Sequence, residues 1–118
     1  MENKEQITTI GKLFDIEYGQ QEYENKSFLE GNEGDIPLIS SKGDDNGVYG
    51  FFDTKINYKI PFITVPRVGT IGQAFVQENN CSVDNNCMVL LPKEKIDIKK
   101  MYQIAFQIRL NKWKYRYG

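Results

Sequence analysis

The chain has 118 residues, enough for one domain with a real core, and at 40% apolar and 26% charged it has a globular composition. It contains no histidine and two cysteines, which excludes His-dependent triads and leaves too few ligands for a structural zinc site. No run of 18 apolar residues occurs, and MENKEQITTI lacks the apolar core of a secretory signal, so a cytoplasmic protein with no membrane span is expected.

In chain order, short apolar runs bounded by Gly, Pro, Asn or Asp predict strands at 14–18, 36–40, 48–52, 62–65, 73–76 and 87–91. The stretch GQQEYENKSFLEGNEGD, residues 19–35, is polar, acidic and glycine-punctuated, and reads as a long loop. Asn46-Gly47 is a hairpin signal, because both residues tolerate positive φ. Cys81 and Cys87 flank SVDNN and, in a cytosolic chain, are expected as reduced strand residues. Beyond Pro92 the period changes. In residues 97–113, DIKKMYQIAFQIRLNKW, the positions Ile98, Met101, Ala105 and Ile108 step by three and four along one helical face, which Tyr102 and Phe106 widen. Asp97 is placed to cap that helix. Strands first and an amphipathic helix last predict a single α+β domain over 1–118, with a mainly antiparallel, twisted or partly barrel-like β-sheet.

A net charge of −1 conceals an asymmetry. Residues 93–118 carry eight Lys/Arg against Glu94 and Asp97, a net +6, while the first 92 residues carry seven against fourteen, a net −7. With Trp113, Tyr115 and Tyr117 interleaved, the basic end suits a polyanion, because cations near phosphates displace condensed counterions. Charge alone fits a solvated basic helix as well.

Two segments carry groups that could grip a ligand. SSKGDDNGVYGFFD, residues 40–53, offers Ser40, Ser41, Lys42, Asn46 and Tyr49 around three glycines. VPRVGTIGQAFV, residues 65–76, places Arg67 two residues ahead of Gly69-Thr70-Ile71-Gly72, with Gln73 after it. That Gly-x-x-Gly has β-favouring residues on both sides, so it is neither the interhelical clamp of a KH domain nor a phosphate-cradling P-loop. Its glycines read as a tight turn, and Arg67 as a cationic fork at a strand end. Asp44 and Asp45 lack the partners of a nuclease acid cluster, so no metal, cofactor or catalytic residue is expected.

The order of the pieces is more specific than any one of them. IGKLFDI at 10–16 with Gly19, GDIPLISS at 34–41, NGVYGFFD at 46–53, ITVPRVGTIGQAFV at 63–76 and CMVLLPK at 87–93 precede the helix and KWKYRYG at 112–118. In this order the chain resembles, over nearly its whole length, the target-recognition domain of type I restriction–modification DNA specificity subunits. The resemblance implies a non-catalytic module that reads one half of a bipartite double-stranded DNA site. Family helices would dock the methyltransferase (modification) and restriction subunits. It implies that 112–118 opens a spacer segment, and that a single recognition domain stands here where a specificity subunit has two. Under it, Ser41, Lys42, Asn46 and Tyr49 in one loop and Arg67, Thr70 and Gln73 in the other are the DNA-contacting candidates. Arg67 suits guanine and Gln73 adenine, while Lys55, Lys59 and the basic end would hold phosphates. Without the resemblance, a β-rich, non-catalytic domain binding protein or carbohydrate fits the same loops and aromatics.

Overall fold

A computed structural model describes residues 10–68 and 72–110. Within these residues seven strands form two sheets: β1 (Phe14–Tyr18), β2 (Glu33–Ile39), β3 (Val48–Phe52), β4 (Phe62–Pro66), β5 (Phe75–Gln77), β6 (Ser82–Val83) and β7 (Cys87–Pro92). Among the described residues the helices are α1 (Lys26–Glu30) and α2 (Ile98–Leu110), and residues 10–13 are helical as well. One sheet has the order β1-β7-β4-β5 and the other β3-β2-β6. Every pair is antiparallel except β2–β6, so the predicted α+β class and antiparallel character hold. Two open sheets take the place of a barrel-like one.

Strand β4 shows why the layers stack as they do. All five of its residues are buried, so it is covered on both faces. Its side chains alternate accordingly: Ile63 and Val65 join the cluster beneath α2, with Leu90, Val76 and Met101, while Phe62 joins the cluster between the sheets, with Ile39, Val83 and Val89. The domain is thus helix on sheet on sheet, with the four-stranded sheet in the middle. A third, smaller cluster of Tyr23, Leu29 and Leu38 packs α1 against β2.

Helix α2 begins as expected, with the Asp97 carboxylate accepting from the Lys99 N–H at 3.2 Å. Met101, Ala105 and Ile108 are buried on its inner face, and burying Met101 or Ile108 contributes about 1.5–3 kcal/mol each. Its apolar arc is rotated from the expected one. Tyr102 and Phe106 are 47% and 50% exposed, and the partly buried Ile104 takes the flank instead. Trp113 and the 112–118 segment lie outside the described residues.

The stretch read as a loop at 19–35 holds a 3-10 turn at Gln21–Glu24, then α1, then the start of β2. Asn25 caps α1 by accepting from the Phe28 N–H at 3.1 Å, and burial of Tyr23 and Leu29 fixes the segment to the body. No helix among the described residues is long and apolar enough to cross a membrane.

Candidate nucleic-acid interface

The loop from β2 to β3 is a hairpin closed by Ser40 N–H donating to Gly47 O at 2.9 Å and Gly47 N–H to Asp44 O at 2.8 Å. Asp45, Asn46 and Gly47 have φ of 51, 56 and 83°, so three successive residues occupy the left-handed region, as the Asn-Gly signal requires of the last two. Lys42 is held within the loop, its Nζ 2.7 Å from Asp45 Oδ2 and 3.7 Å from Asp44 Oδ1. That hydrogen bond to Asp45 is the leading cause that raises the Lys42 pKa. Asn46 is engaged as well. Its amide donates to Gln77 Oε1 at 3.1 Å, and Gln77 Nε2 donates back to Asn46 O at 3.0 Å and to Thr64 Oγ1 at 3.1 Å. The Asn46 side chain therefore ties the hairpin to β5, and Gln77 carries the connection on to Thr64 of β4. Ser41 is half-buried, while Tyr49 is exposed beside Phe52, ring centroids 6.2 Å apart and stacked.

Arg67 follows β4 at the other loop. Its backbone N–H donates to Asn86 O at 2.9 Å, and its Nη1 to Asn85 O at 3.2 Å. The guanidinium carbon lies 4.4 Å from the centroid of the Tyr18 ring. Gln73 is half-buried, and Gly72 has φ 97°, which fits the tight turn expected of the glycines. Thr70 and Gly69 lie outside the described residues. Lys55 and Lys59 are exposed. Lys59 precedes β4 and Arg67 follows it, so the strand's length separates the two.

What joins the loops is a turn that sequence reasoning treated only as a spacer between two cysteines. Asp84 is buried and accepts from the Asn86 N–H at 2.9 Å, and its carboxyl pKa is lowered in part by the Ser40 side chain. Its N–H donates to Ile39 O at 2.9 Å. Asn86 in turn accepts from the Arg67 N–H. Ile39, Asp84, Asn86 and Arg67 thus form one continuous relay from the end of β2, where the hairpin begins, to the second loop. Burial is the main force on Asp84, pushing its carboxyl above the ordinary value, and the Ser40 and Asn86 hydrogen bonds oppose it. The signal that could have found this turn is Asp-Asn-Asn itself, since Asx side chains bond the backbone two residues on. Cys81 and Cys87 are free, buried thiols beside it; burial raises the first to about 12 and the second further.

Residues 1–116 match the type I restriction modification DNA specificity domain. The chain belongs to that family. No curated protein gives a significant match. Among solved structures this specificity domain is similar to the type I restriction–modification S subunit from M. genitalium, with a TM-score of 0.65 and 22% identity over 86% of this chain and 26% of that one. It is also similar to the HsdS subunit from Thermoanaerobacter tengcongensis, with a TM-score of 0.61 and 14% identity over 89% and 27%. At these identities the likeness is one of fold. The specificity domain spans about a quarter of the length of each of those chains.

Proposed function

We propose that this domain reads one half of a bipartite double-stranded DNA site, in the cytoplasm and without chemistry of its own. The observation that carries the reading is the relay from Ile39 through Asp84 and Asn86 to Arg67, which holds two candidate loops on one frame within a DNA specificity domain. Arg67 and Gln73 are assigned to base edges, and Lys55 and Lys59 to phosphates. Tyr49 and Ser41 border the hairpin surface and are assigned to contacts at its rim. Asn46 is assigned to loop support, since its amide is committed to Gln77. Lys42 contributes after exchanging Asp45 for a phosphate, at the cost of that ion pair. The methyltransferase and restriction subunits are engaged by the family's helical regions rather than by this domain.

The test is duplex binding across a salt series. Affinity should fall steeply and linearly in log–log form as phosphates are contacted. Affinity retained in high salt would favour a protein- or carbohydrate-binding module instead, as would failure to bind any duplex.

A further inference from the structure

We infer that the cleft at the foot of α2 is a second, sequence-independent site that grips the DNA backbone, away from the loops assigned to base reading. The inference rests on the DNA-reading function above. The cleft encloses about 450 Å³ and is lined by Lys12, Lys93, Lys95 and Lys100, which reach it from the helical residues at 10–13, the β7–α2 connection and α2 itself. Leu13 and Ile96 form its apolar side and pack on the core cluster beneath α2, which fixes the backbone from which the ammoniums project. Glu94 and Asp97 oppose the lysines, so the cleft keeps a net charge of +2.

Among the described residues the four ammoniums have no ion-pair or hydrogen-bond partner. Among the described residues ion pairs form only around Lys42, and the Asp97 carboxylate is turned to the Lys99 N–H. The helix end is therefore already capped, and charge from the lysines is what the cleft offers. Among the described residues no aromatic ring and no arginine lines it, so its lining there offers no group to stack a base or fork a carboxylate. Flexible point charges around an open cleft suit phosphate oxygens recognised by charge alone.

Position supports a backbone contact distinct from the reading loops. The Lys93 N–H donates to Leu13 O, next to the Phe14–Pro92 pair that ends the β1–β7 ladder. Arg67 covers Tyr18 at the ladder's opposite end, where Tyr18 pairs with Met88. At about 3.3 Å per residue the ladder separates the two places by roughly 13 Å. That is the axial rise of about four phosphates along one strand.

The test compares the full chain with a variant carrying Lys12→Gln, Lys93→Gln, Lys95→Gln and Lys100→Gln, by fluorescence anisotropy on several duplexes. The variant should lose affinity by the same factor on every sequence, and its log–log salt slope should shrink by about 2–3. Arg67→Ala should leave that slope within about one of wild type. An unchanged slope and affinity in the lysine variant would overturn the proposal. A second arm titrates the isotope-labelled wild-type chain with tripolyphosphate and follows amide resonances of residues 93–100. Shifts that vanish in the variant support the phosphate site, and their absence in wild type overturns it. Shifts in a chain that binds no duplex at any salt overturn the DNA-backbone assignment together with the DNA-reading function, and leave a site for a free polyphosphate.

Discussion

The guanidinium of Arg67 lies over the ring of Tyr18, 4.4 Å from its centroid, while Nη1 donates to the Asn85 carbonyl. Two contacts from different elements hold a planar donor fork that, as a free side chain, would sample many rotamers. A fork fixed in this way loses little entropy on binding, which is the physical case for Arg67 as a reader.

Arg67→Ala should cost about 1–3 kcal/mol on the preferred duplex and relax discrimination at one base position. Tyr18→Ala leaves the fork but removes its support, and should cost a smaller amount, about 0.5–1 kcal/mol. Binding measured against a panel of single-base variants checks both. An equal loss on every duplex would make Arg67 a phosphate contact.

Gly19 supports the same region through the absence of a side chain. A Cβ there would fall 2.0 Å from the Asp84 carbonyl oxygen and 2.6 Å from that of Val83, both backbone atoms. Gly19→Ala should therefore destabilise the fold by about 1–3 kcal/mol or more, since backbone cannot move aside cheaply. Gly11, in the helical residues at 10–13, meets nothing within 4 Å, and Gly11→Ala should be neutral or stabilise by about 0.5–1 kcal/mol. Denaturant midpoints of the two variants give the contrast.

Local pattern made much of this fold legible and long-range pairing hid the rest. Phe14–Tyr18 and Val48–Phe52 have the expected bounds because turn residues fence them on both sides. α1 was hidden because five residues are too few for a period to show. Its order comes from the Asn25 cap and from burying Leu29 against Leu38, a partner remote in sequence. β6 has two residues, and its pairing with β2 joins Leu38 to Ser82 and Ile39 to Val83, which no local signal announces. The helix period gave an apolar arc wider than the sheet can cover, so contact with β4 and β5 decided that Ile104 lies inward and Tyr102 outward. At the site, residue chemistry singled out Arg67 and the hairpin, and Asp-Asn-Asn signals a turn, but that this turn lies between the two loops is visible only in three dimensions.

Gln77 is a structural amide whose loss should be felt as stability. It is buried, and its side chain bonds Thr64 and both the amide and carbonyl of Asn46. Gln77→Leu keeps the bulk but leaves the Thr64 hydroxyl and the Asn46 groups without their partner, at about 1–3 kcal/mol. Asn46→Ala forfeits the amide bonds to Gln77 Oε1 and Val76 O, keeps the carbonyl bond from Gln77, and adds a left-handed penalty of about 1–2 kcal/mol. Urea unfolding should show both variants destabilised. Asn46→Gly, which accepts the backbone conformation, should recover part of the loss, and failure to do so would place the cost in the side-chain bonds alone.

Asp84 gives the relay a pH dependence whose sign is fixed by its surroundings. Burial, the larger cause, lifts its carboxyl above the ordinary 3.8, and the Ser40 and Asn86 hydrogen bonds only partly offset this; Glu24 pushes in the same direction as burial. Between 3.8 and the raised folded value, the folded chain holds more of this proton than the unfolded chain does. Stability contributed by Asp84 therefore declines as pH rises through that window and is level above it. Asn at this position does not titrate. The stability difference between Asp84→Asn and wild type should move in the variant's favour as pH climbs through the window, then stay constant. Its absolute offset mixes in altered hydrogen bonding to Ser40, so the trend is the test. Urea midpoints for both proteins from about pH 3 to 7 measure it. A difference moving the other way would mean that the hydrogen bonds outweigh burial and that the buried carboxylate is held charged.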